Sequence, residues 1–271
     1  MQGFALNDIF KIGIGPSSSH TMGPMHAAQH FLSGLDVCHA TEPYRIEVTL
    51  HGSLAATGEG HGTPGAITAG LMGHHYDTVT LVDIELAWEI AMNTGRLQSL
   101  AGHSIQFKPT DALHRDTQPL PNHPNGMTFK AWRSNEFIAE AQYFSVGGGM
   151  VEDQEGRALA TGDLVDDETP FPYASMDQLV AWCDSEDLSI AQLQAKNEHL
   201  CLRSESRDAH AITLWQVMSE CIDRGLSTEG ELPGGLRVKR RAAALWRRLL
   251  SNSQGDKAPA NQAQRAMVYA M

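Results

Sequence analysis

The sequence predicts an α+β fold, with helices and a mixed or antiparallel sheet over residues 1–170, followed by an all-helical segment over 171–271. Two observations lead to this prediction. Before about residue 170, short segments that alternate apolar and polar residues are separated by glycine-rich turns, as is typical of strands and short helices. Beyond that point, strong helix formers dominate the long segments. The change predicts two domains that meet near residue 170.

The strands of the first domain are predicted from period-two patterns. In YRIEVTL (44–50), apolar residues from Ile46 to Leu50 alternate with polar ones, as expected of a half-buried strand. The pair Ser134-Asn135 separates two strand-like segments and predicts a hairpin. The other predicted strands are 77–84, 104–109, 127–134 and 137–147.

Helices are predicted from proline, glycine and period-3.6 patterns. Pro24 suits the first turn of a helix, and the residues after it place Met25, Phe31 and Leu35 on one face. Four helical segments follow residue 170, and the third is expected to end at Gly225. These segments are MDQLVAWCDS, SIAQLQAKNEHLCLR, AHAITLWQVMSECIDRG and LRVKRRAAALWRRLLSN.

The composition is that of a soluble globular protein. Hydrophobic residues make up 42% of the chain and charged residues 19%. A net charge of −12 argues against a nucleic-acid partner. No apolar run approaches the roughly 18 residues that span a bilayer, so no membrane partner is predicted. The N-terminus shows no secretory pattern, and we expect a cytoplasmic location.

One basic segment departs from the acidic average. In RVKRRAAALWRR (237–248), arginines and a lysine crowd a short stretch. Such a stretch could form a polyanion-binding strip. The alternative is an amphipathic helix that buries its apolar face while its arginines pair with acids elsewhere on the protein.

Neither the cysteines nor a histidine pair predicts a metal site. The four cysteines contain no C-x-x-C pair, which argues against a zinc ribbon or a local iron–sulfur motif and favours free thiols. His26 and His30 have a spacing that could chelate a metal on a helix, but no nearby residue supplies a third ligand. We expect both histidines to face solvent.

A row of hydroxyls stands next to a histidine in KIGIGPSSSHTMGP (11–24). Because the row precedes the helix predicted at Pro24, main-chain N–H groups and the helix dipole would favour an anion there. The hydroxyls could add hydrogen-bond donors, and His20 could add a charge or a proton. A carboxylate or a phosphate is the natural ligand. The alternative is a polar loop in which one serine caps the helix.

A second glycine-rich stretch, HGSLAATGEGHGTPG (51–65), contains the pattern G-x-G-x-x-G. That pattern is the fingerprint of dinucleotide-binding folds when it directly follows a strand. Here the preceding strand is predicted to stop near Leu50, well before Gly60. The alternative is that the glycines let the main chain approach a small ligand, with Thr57, His61 and Thr63 presenting polar groups.

Four motifs together resemble one family closely. GIGPSSSHTMGPMHAA, HGSLAATGEGHGT, YFSVGGGMV and CIDRGLSTEGELPGGLRVKRRA, in this order, are similar to the single-chain, iron–sulfur-dependent bacterial L-serine dehydratases. The resemblance runs from Ile9 to about Met271. It implies an L-serine ammonia-lyase, which removes water from L-serine and yields pyruvate and ammonia. It also implies a β domain over 1–170 and the start of a helical α domain over 171–271.

The resemblance places the cofactor outside this chain. Members of the family carry a [4Fe–4S] cluster whose iron polarises the substrate hydroxyl, and its cysteine ligands lie in the C-terminal part of the α domain. None of the four cysteines here matches such a ligand. The chain is therefore expected to be the N-terminal portion of a longer enzyme, inactive alone, with the cluster-bearing α-domain region and L-serine as partners. The resemblance to this family predicts a homodimer.

The resemblance also implies the site residues. His61 is predicted to transfer a proton, since the ordinary pKa of a histidine, about 6.5, lies near working pH, and the alternative is a purely positional hydrogen-bonding role. The residues predicted to surround the substrate are Ser17, Ser18, Ser19, His20, Thr21 and Thr63. Two alternatives stay open. In one, the β domain is a regulatory module that binds serine or a small anion without chemistry, as it resembles the allosteric substrate-binding domains of some phosphoglycerate dehydrogenases. In the other, it binds a dinucleotide.

Overall fold

A computed structural model describes residues 10–35, 42–159, 170–201, 207–232 and 237–252 of the chain. The chain divides into two compact units. One consists mainly of residues 11–162, and the other consists mainly of the chain from residue 163 onward. Among the described residues, no helix is both long and apolar enough to span a bilayer.

The first unit is built on a mixed sheet of seven strands. The central strand, β1, pairs antiparallel with β5 on one side, and on the other side it pairs parallel with β3 near its start and with β4 near its end. The remaining pairs are antiparallel and give the order β2-β3-β1-β5-β6-β7. The strands are β1 (Tyr44–His51), β2 (Arg96–Gln98), β3 (Ser104–Gln106), β4 (Leu113–Asp116), β5 (Gly126–Arg133), β6 (Glu136–Gly147) and β7 (Met150–Asp153).

Alternation along the central strands fixes the buried face of the sheet. Val48 of β1 lies opposite Phe129 of β5, and both are fully buried. Phe129 in turn contacts the ring of Phe31, at 5.3 Å between centroids. Because successive side chains of a strand point to opposite faces, one face of the sheet supplies the core and the other stays polar.

Five helices complete the described part of the first unit. The first and third pack closely enough that a side chain on Gly70 would lie 2.4 Å from the carbonyl oxygen of Met25. A π-helical turn (Ser18–Met22) precedes the first helix, and a 3₁₀ turn (Glu59–His61) precedes the third. The helices are α1 (Gly23–Ser33), α2 (Gly52–Thr57), α3 (Thr63–Leu71), α4 (Leu81–Thr94) and α5 (Pro109–Ala112).

The predicted fold class, including the hairpin, is confirmed, but one predicted strand is wrong. Ser134 and Asn135 take φ angles of 49° and 68°, the left-handed values of a two-residue hairpin turn. Residues 77–84 form no strand, because Leu81 starts helix α4. The Thr80 side chain accepts from the Asp83 main-chain N–H, and the Asp83 carboxylate accepts from the Thr80 N–H. This capping box overrides the strand propensity of the valines and threonines.

The described part of the second unit is almost wholly helical. Its helices are α6 (Met176–Glu186), α7 (Ile190–Cys201), α8 (Arg207–Ser227) and α9 (Ala242–Asn252). Helix α8 passes through Gly225, so the predicted end at that glycine is wrong by one half-turn. The final segment NQAQRAMVYAM lies outside the described residues.

Acids pair with two of the arginines in the basic segment. Arg247 contacts the carboxylate of Glu229, and Arg237 Nε lies 3.6 Å from Glu231. Arg247 also belongs to α9, whose apolar residue Ala243 is buried. These contacts favour the amphipathic-helix interpretation over the polyanion-binding strip.

Candidate functional site

The hydroxyl row forms a helical turn and not a loop. Ser17 caps the π-helical turn, and its hydroxyl oxygen accepts the main-chain N–H of His20 at 3.2 Å. The N–H groups of Thr21 and Gly23 donate to the carbonyls of Ser17 and Ser18. The helical conformation therefore begins before Pro24, and several of the N–H groups expected to bind an anion are already used within the turn.

Hydroxyl groups contact both ring nitrogens of His20. Ser19 Oγ lies 2.8 Å from Nδ1, and Ser53 Oγ lies 3.2 Å from Nε2. Ser17 Oγ extends this row at 3.4 Å from Ser19 Oγ. Ser53 is not among the residues that the sequence motifs predict for the site. It lies two residues beyond the end of β1 in the same glycine-rich stretch as His61, and only the fold brings it to His20.

His61 is held by a main-chain carbonyl. Its Nδ1 lies 2.9 Å from the carbonyl oxygen of Thr57, the last residue of α2. Gly62 follows with a φ of 68° and ends the 3₁₀ turn. The ring is partly exposed to solvent. A donor is required at Nδ1, so Nε2 is the nitrogen that remains available to a ligand.

Two buried threonines tie the hydroxyl row to the His61 loop. Thr21 donates its hydroxyl to the carbonyl of His61 at 2.8 Å, and Thr63 donates its hydroxyl to the carbonyl of His20. Thr63 is 0% and Thr21 2% exposed. Their hydroxyl protons are thus committed to the main chain. The structure therefore gives both threonines a positioning contact, and their predicted role in binding substrate stays a prediction.

The two stretches converge on one place. The ring centroids of His20 and His61 lie 4.9 Å apart at an interplanar angle of 45°. Burial lowers the pKa of His20, and the charge of a protonated His61 lowers it further, while a hydrogen bond that His20 donates to the Ser53 main chain opposes both. Among the predicted ligand-binding residues, Ser18 is exposed, and Ser17, Ser19 and His20 are partly exposed. The arrangement combines an imidazole whose pKa is lowered, a second imidazole whose Nε2 is left available, and several hydroxyls.

Helix α2 begins where only glycine fits. Gly52 has a φ of 54°, and a side chain there would lie 2.4 Å from the carbonyl oxygen of Pro124. The same carbonyl accepts the N–H of Ser53 at 2.9 Å. The end of β1 therefore turns sharply into α2, and this turn sets where Ser53 points.

The glycine pattern does not follow a strand. β1 ends at His51, and Gly60 lies in the 3₁₀ turn between two helices. Gly65 serves packing, since a side chain there would lie 2.9 Å from Ile84 of α4. The dinucleotide interpretation is therefore wrong, because its phosphate loop needs a strand that ends at the first glycine.

The prediction for His26 is also wrong, because His26 is buried. It is 5% exposed, next to the rings of His75 and Tyr76 at centroid distances of 6.3 and 5.7 Å. Burial lowers the pKa of His26 to about 4, helped by His75, His30 and Lys11. His30 does lie at the surface, and its Nδ1 is 3.0 Å from the Tyr143 hydroxyl. Periodicity from Pro24 alone assigns the helix face incorrectly for His26.

The described residues provide no site that fits an iron–sulfur cluster. Within the described ranges, no three histidine, cysteine or acidic side chains lie together so as to hold a metal ion. Cys183 on α6 and Cys221 on α8 are free thiols. Cys38 and the Cys201 side chain fall outside what the structure describes. The cofactor expected from the resemblance thus finds no ligand set among these residues.

Comparison with known proteins assigns the family. Residues 5–156 match the family model described as serine dehydratase beta chain. The chain is 40% identical over 267 residues to L-serine dehydratase TdcG of Escherichia coli K12, which covers 97% of this chain and 58% of the relative. It is 40% identical to L-serine dehydratase of Streptomyces coelicolor, covering 92% of this chain and 55% of the relative. The corresponding values for L-serine dehydratase of Helicobacter pylori are 34%, 96% and 57%.

These matches cover only part of each relative. The chain spans somewhat more than half the length of the curated relatives it matches. The matched family model covers the whole of the His20–His61 site and the sheet that supports it. By sequence and by the extent of this match, the chain belongs to the serine dehydratase beta chain family.

Proposed function

We propose that this chain is the N-terminal part of an iron–sulfur-dependent L-serine ammonia-lyase and helps to form its substrate site. The observation that carries the proposal is the His20–His61 pair, with centroids 4.9 Å apart and with the hydroxyls of Ser17, Ser19 and Ser53 beside His20. The family to which the chain belongs supports serine as the substrate. A location in the cytoplasm is part of the same proposal.

The reaction requires a base and donors for a carboxylate. L-Serine loses its Cα proton and its hydroxyl group, as one water, and the resulting enamine is hydrolysed to pyruvate and ammonia. His61 Nε2 is suited to accept the proton, because Nδ1 is already bonded to the Thr57 carbonyl. The exposed Ser18 hydroxyl is suited to donate to the substrate carboxylate. Thr21 and Thr63 hold these groups in register.

Completion of the enzyme needs a further region. We propose a cluster-bearing α-domain region that corresponds to the unmatched part of the relatives and supplies the ligands of a [4Fe–4S] cluster. Four apolar side chains on three helices of the second unit are each more than half exposed and are thus available to pack against such a region. They are Met176 (65%), Ile190 (52%), Ile212 (56%) and Trp215 (63%). The homodimer expected from the family belongs to this proposal too.

A regulatory role is the second candidate function. One observation favours it: the hydrogen bonds described above for the site all join residues between 17 and 63 of the first unit. Such a site could bind serine or a small carboxylate without chemistry. In that case the base would come from the completing region.

One pair of measurements tests the proposal. Calorimetric titration of this chain with L-serine should show binding that His20→Gln removes, with D-alanine as the matched control ligand. Pyruvate formation should be absent for the chain alone and appear only when the completing region of a relative, with its reconstituted cluster, is added. Binding without any effect of His61→Ala on the completed enzyme would support the regulatory role instead.

A further inference from the structure

One short helix contacts both imidazoles of the site. Ser53, in the first turn of α2, places its hydroxyl on His20, and Thr57, at the end of α2, places its carbonyl on His61. Thr57 Oγ1 also donates to the Ser53 carbonyl at 2.9 Å, within the same helix. The orientations of the two rings are therefore set by opposite ends of a single six-residue element.

The hydrogen-bond partner of His61 determines which tautomer its neutral ring adopts. A carbonyl oxygen accepts and cannot donate, so the 2.9 Å contact requires a proton on His61 Nδ1. When the ring is neutral, Nε2 then carries a lone pair. His61 is thus the Nδ1–H tautomer.

The partners of His20 indicate the opposite tautomer, with the proton on Nε2. Ser17 Oγ already accepts the main-chain N–H of His20, so its own proton is free to be donated to Ser19 Oγ. Ser19 can then donate to His20 Nδ1, and the 2.8 Å distance suits a hydroxyl donor. At Nε2, the 3.2 Å distance to Ser53 Oγ lies at the long end of the range for an N–H donor.

We infer that α2 holds the two histidines in opposite neutral tautomers, with His20 protonated on Nε2 toward Ser53 and His61 protonated on Nδ1 toward Thr57. Ser53 is then a positioning residue that acts through His20. In the setting of the proposed function, on which this part of the inference rests, His20 is the fixed hydrogen-bonding ring and His61 Nε2 is the proton acceptor. The tautomers themselves do not depend on that function.

Nitrogen-15 NMR of the histidine rings tests the inference on the full chain. Spectra are recorded above the ordinary histidine pKa of about 6.5, and His20→Gln and His61→Gln assign the signals. His103 is an internal reference for the Nε2–H form, because its Nε2 lies 3.2 Å from the Leu35 carbonyl. We expect His20 to match the pattern of His103 and His61 to show the opposite pattern.

Variants of Ser53 make the test specific. Ser53→Ala should shift the His20 signals toward values averaged between the two tautomers, and Ser53→Thr should restore them. Thr57→Ala is the matched control, since it removes from the same helix a hydroxyl that bonds to the main chain and not to a ring, and it should leave both patterns unchanged. His61 should keep its pattern in all three variants.

Three outcomes would overturn the inference. They are His20 in the Nδ1–H form, the same tautomer for both rings, or a His20 pattern that Ser53→Ala does not alter. The wild-type spectrum alone decides the first two, even if a variant fails to fold. If the opposite tautomers are found but L-serine does not bind the chain, the proposed function fails while the inference stands.

Discussion

The imidazole of His20 and that of His61 lie 4.9 Å apart, although one belongs to a π-helical turn and the other to a 3₁₀ turn that comes after β1 and α2. The main-chain carbonyl of His61 accepts the hydroxyl of Thr21, and the main-chain carbonyl of His20 accepts the hydroxyl of Thr63. This reciprocal pair of bonds holds the two turns together independently of the rings. A ring can therefore be replaced without separating the turns, which makes the site suitable for side-chain substitution.

Replacement of His61 tests proton transfer in the completed enzyme. His61→Ala should lower kcat by roughly 10² to 10⁴, the usual contribution of a positioned acid or base. KM should change much less, because the hydroxyl donors remain in place. Steady-state assays of pyruvate formation measure both. A raised KM with an unchanged kcat would instead assign His61 to binding.

Replacement of single serines separates binding from positioning. Ser18→Ala should act mainly on KM, because the carboxylate donor proposed at this exposed position would serve the ground state and the transition state about equally. Ser19→Ala should change KM and also the His20 ring signals, since Ser19 Oγ lies 2.8 Å from Nδ1. Identical effects of both variants on the ring signals would contradict this division.

Thr63 can be tested for a structural role. Thr63→Val keeps the shape but leaves the His20 carbonyl without this buried donor, which should lower the free energy of unfolding by about 1–3 kcal/mol. Thr57→Val is the control, because the Thr57 hydroxyl bonds at the exposed surface, and we expect a change within about 0.5 kcal/mol. Urea unfolding of both variants provides the comparison. Unchanged stability of Thr63→Val with weaker serine binding would restore the predicted substrate contact.

Two glycines with similar backbone angles should respond very differently to alanine. A methyl group on Gly52 (φ 54°) would lie 2.4 Å from the Pro124 carbonyl oxygen, whereas one on Gly62 (φ 68°) would enter open space. Gly62→Ala should cost about 1–2 kcal/mol from the left-handed conformation alone. Gly52→Ala should add a clash of about 1–3 kcal/mol. Equal losses on thermal or urea unfolding would show that the turn into α2 is not held by this contact.

Burial of His26 predicts how stability depends on pH. The pKa of His26 is lowered from 6.5 to about 4 in the folded chain, so the unfolded chain binds this proton first as the pH falls. The part of the unfolding free energy that depends on a neutral His26 is therefore fully present above pH 6.5. It decreases as the pH drops toward 4, by about 1.4 kcal/mol per pH unit and about 3 kcal/mol in total.

The variant His26→Leu isolates this effect from the other titrating groups. Its urea-unfolding free energy should fall less steeply than that of the wild type over the same pH window. His114→Leu removes an exposed imidazole of β4 whose Nε2 lies 3.8 Å from the Glu47 carboxylate, and its slope should stay closer to the wild-type slope than that of His26→Leu. A parallel decrease in the wild type and in His26→Leu would show that His26 is not the titrating group.

Most of the fold can be predicted from the sequence because its strands carry clear period-two patterns. The segments around Ile46 and Phe129 alternate cleanly, and Asn135 in the Ser134-Asn135 turn is a residue that tolerates the left-handed conformation. The prediction for residues 77–84 is wrong because their β-branched residues suggest a strand, whereas Thr80 and Asp83 form a capping box. Propensity and capping compete there, and the side-chain hydrogen bonds decide.

For the site, the sequence supplies the residue types but not their geometry. The motifs indicate His20, His61 and the hydroxyls, and the fold brings them together. Ser53 escapes prediction because nothing in its local pattern distinguishes it from any serine that starts a helix. Its contact with His20 depends on the turn at Gly52, which in turn depends on a carbonyl of Pro124, far along the chain. Long-range contacts of this kind leave no periodic signal.

The pairing of β1 has a consequence for synthesis on the ribosome. β1 leads directly into α2, yet its ladder partners, β3, β4 and β5, are all translated later. The turn into α2 also needs the Pro124 carbonyl. Because such distant pairings form slowly and only after the whole segment is available, His20 and Ser53 emerge from the exit tunnel before the sheet that brings them together can form. The contact between His20 and Ser53 is therefore expected to form only after Pro124 and β5 have emerged.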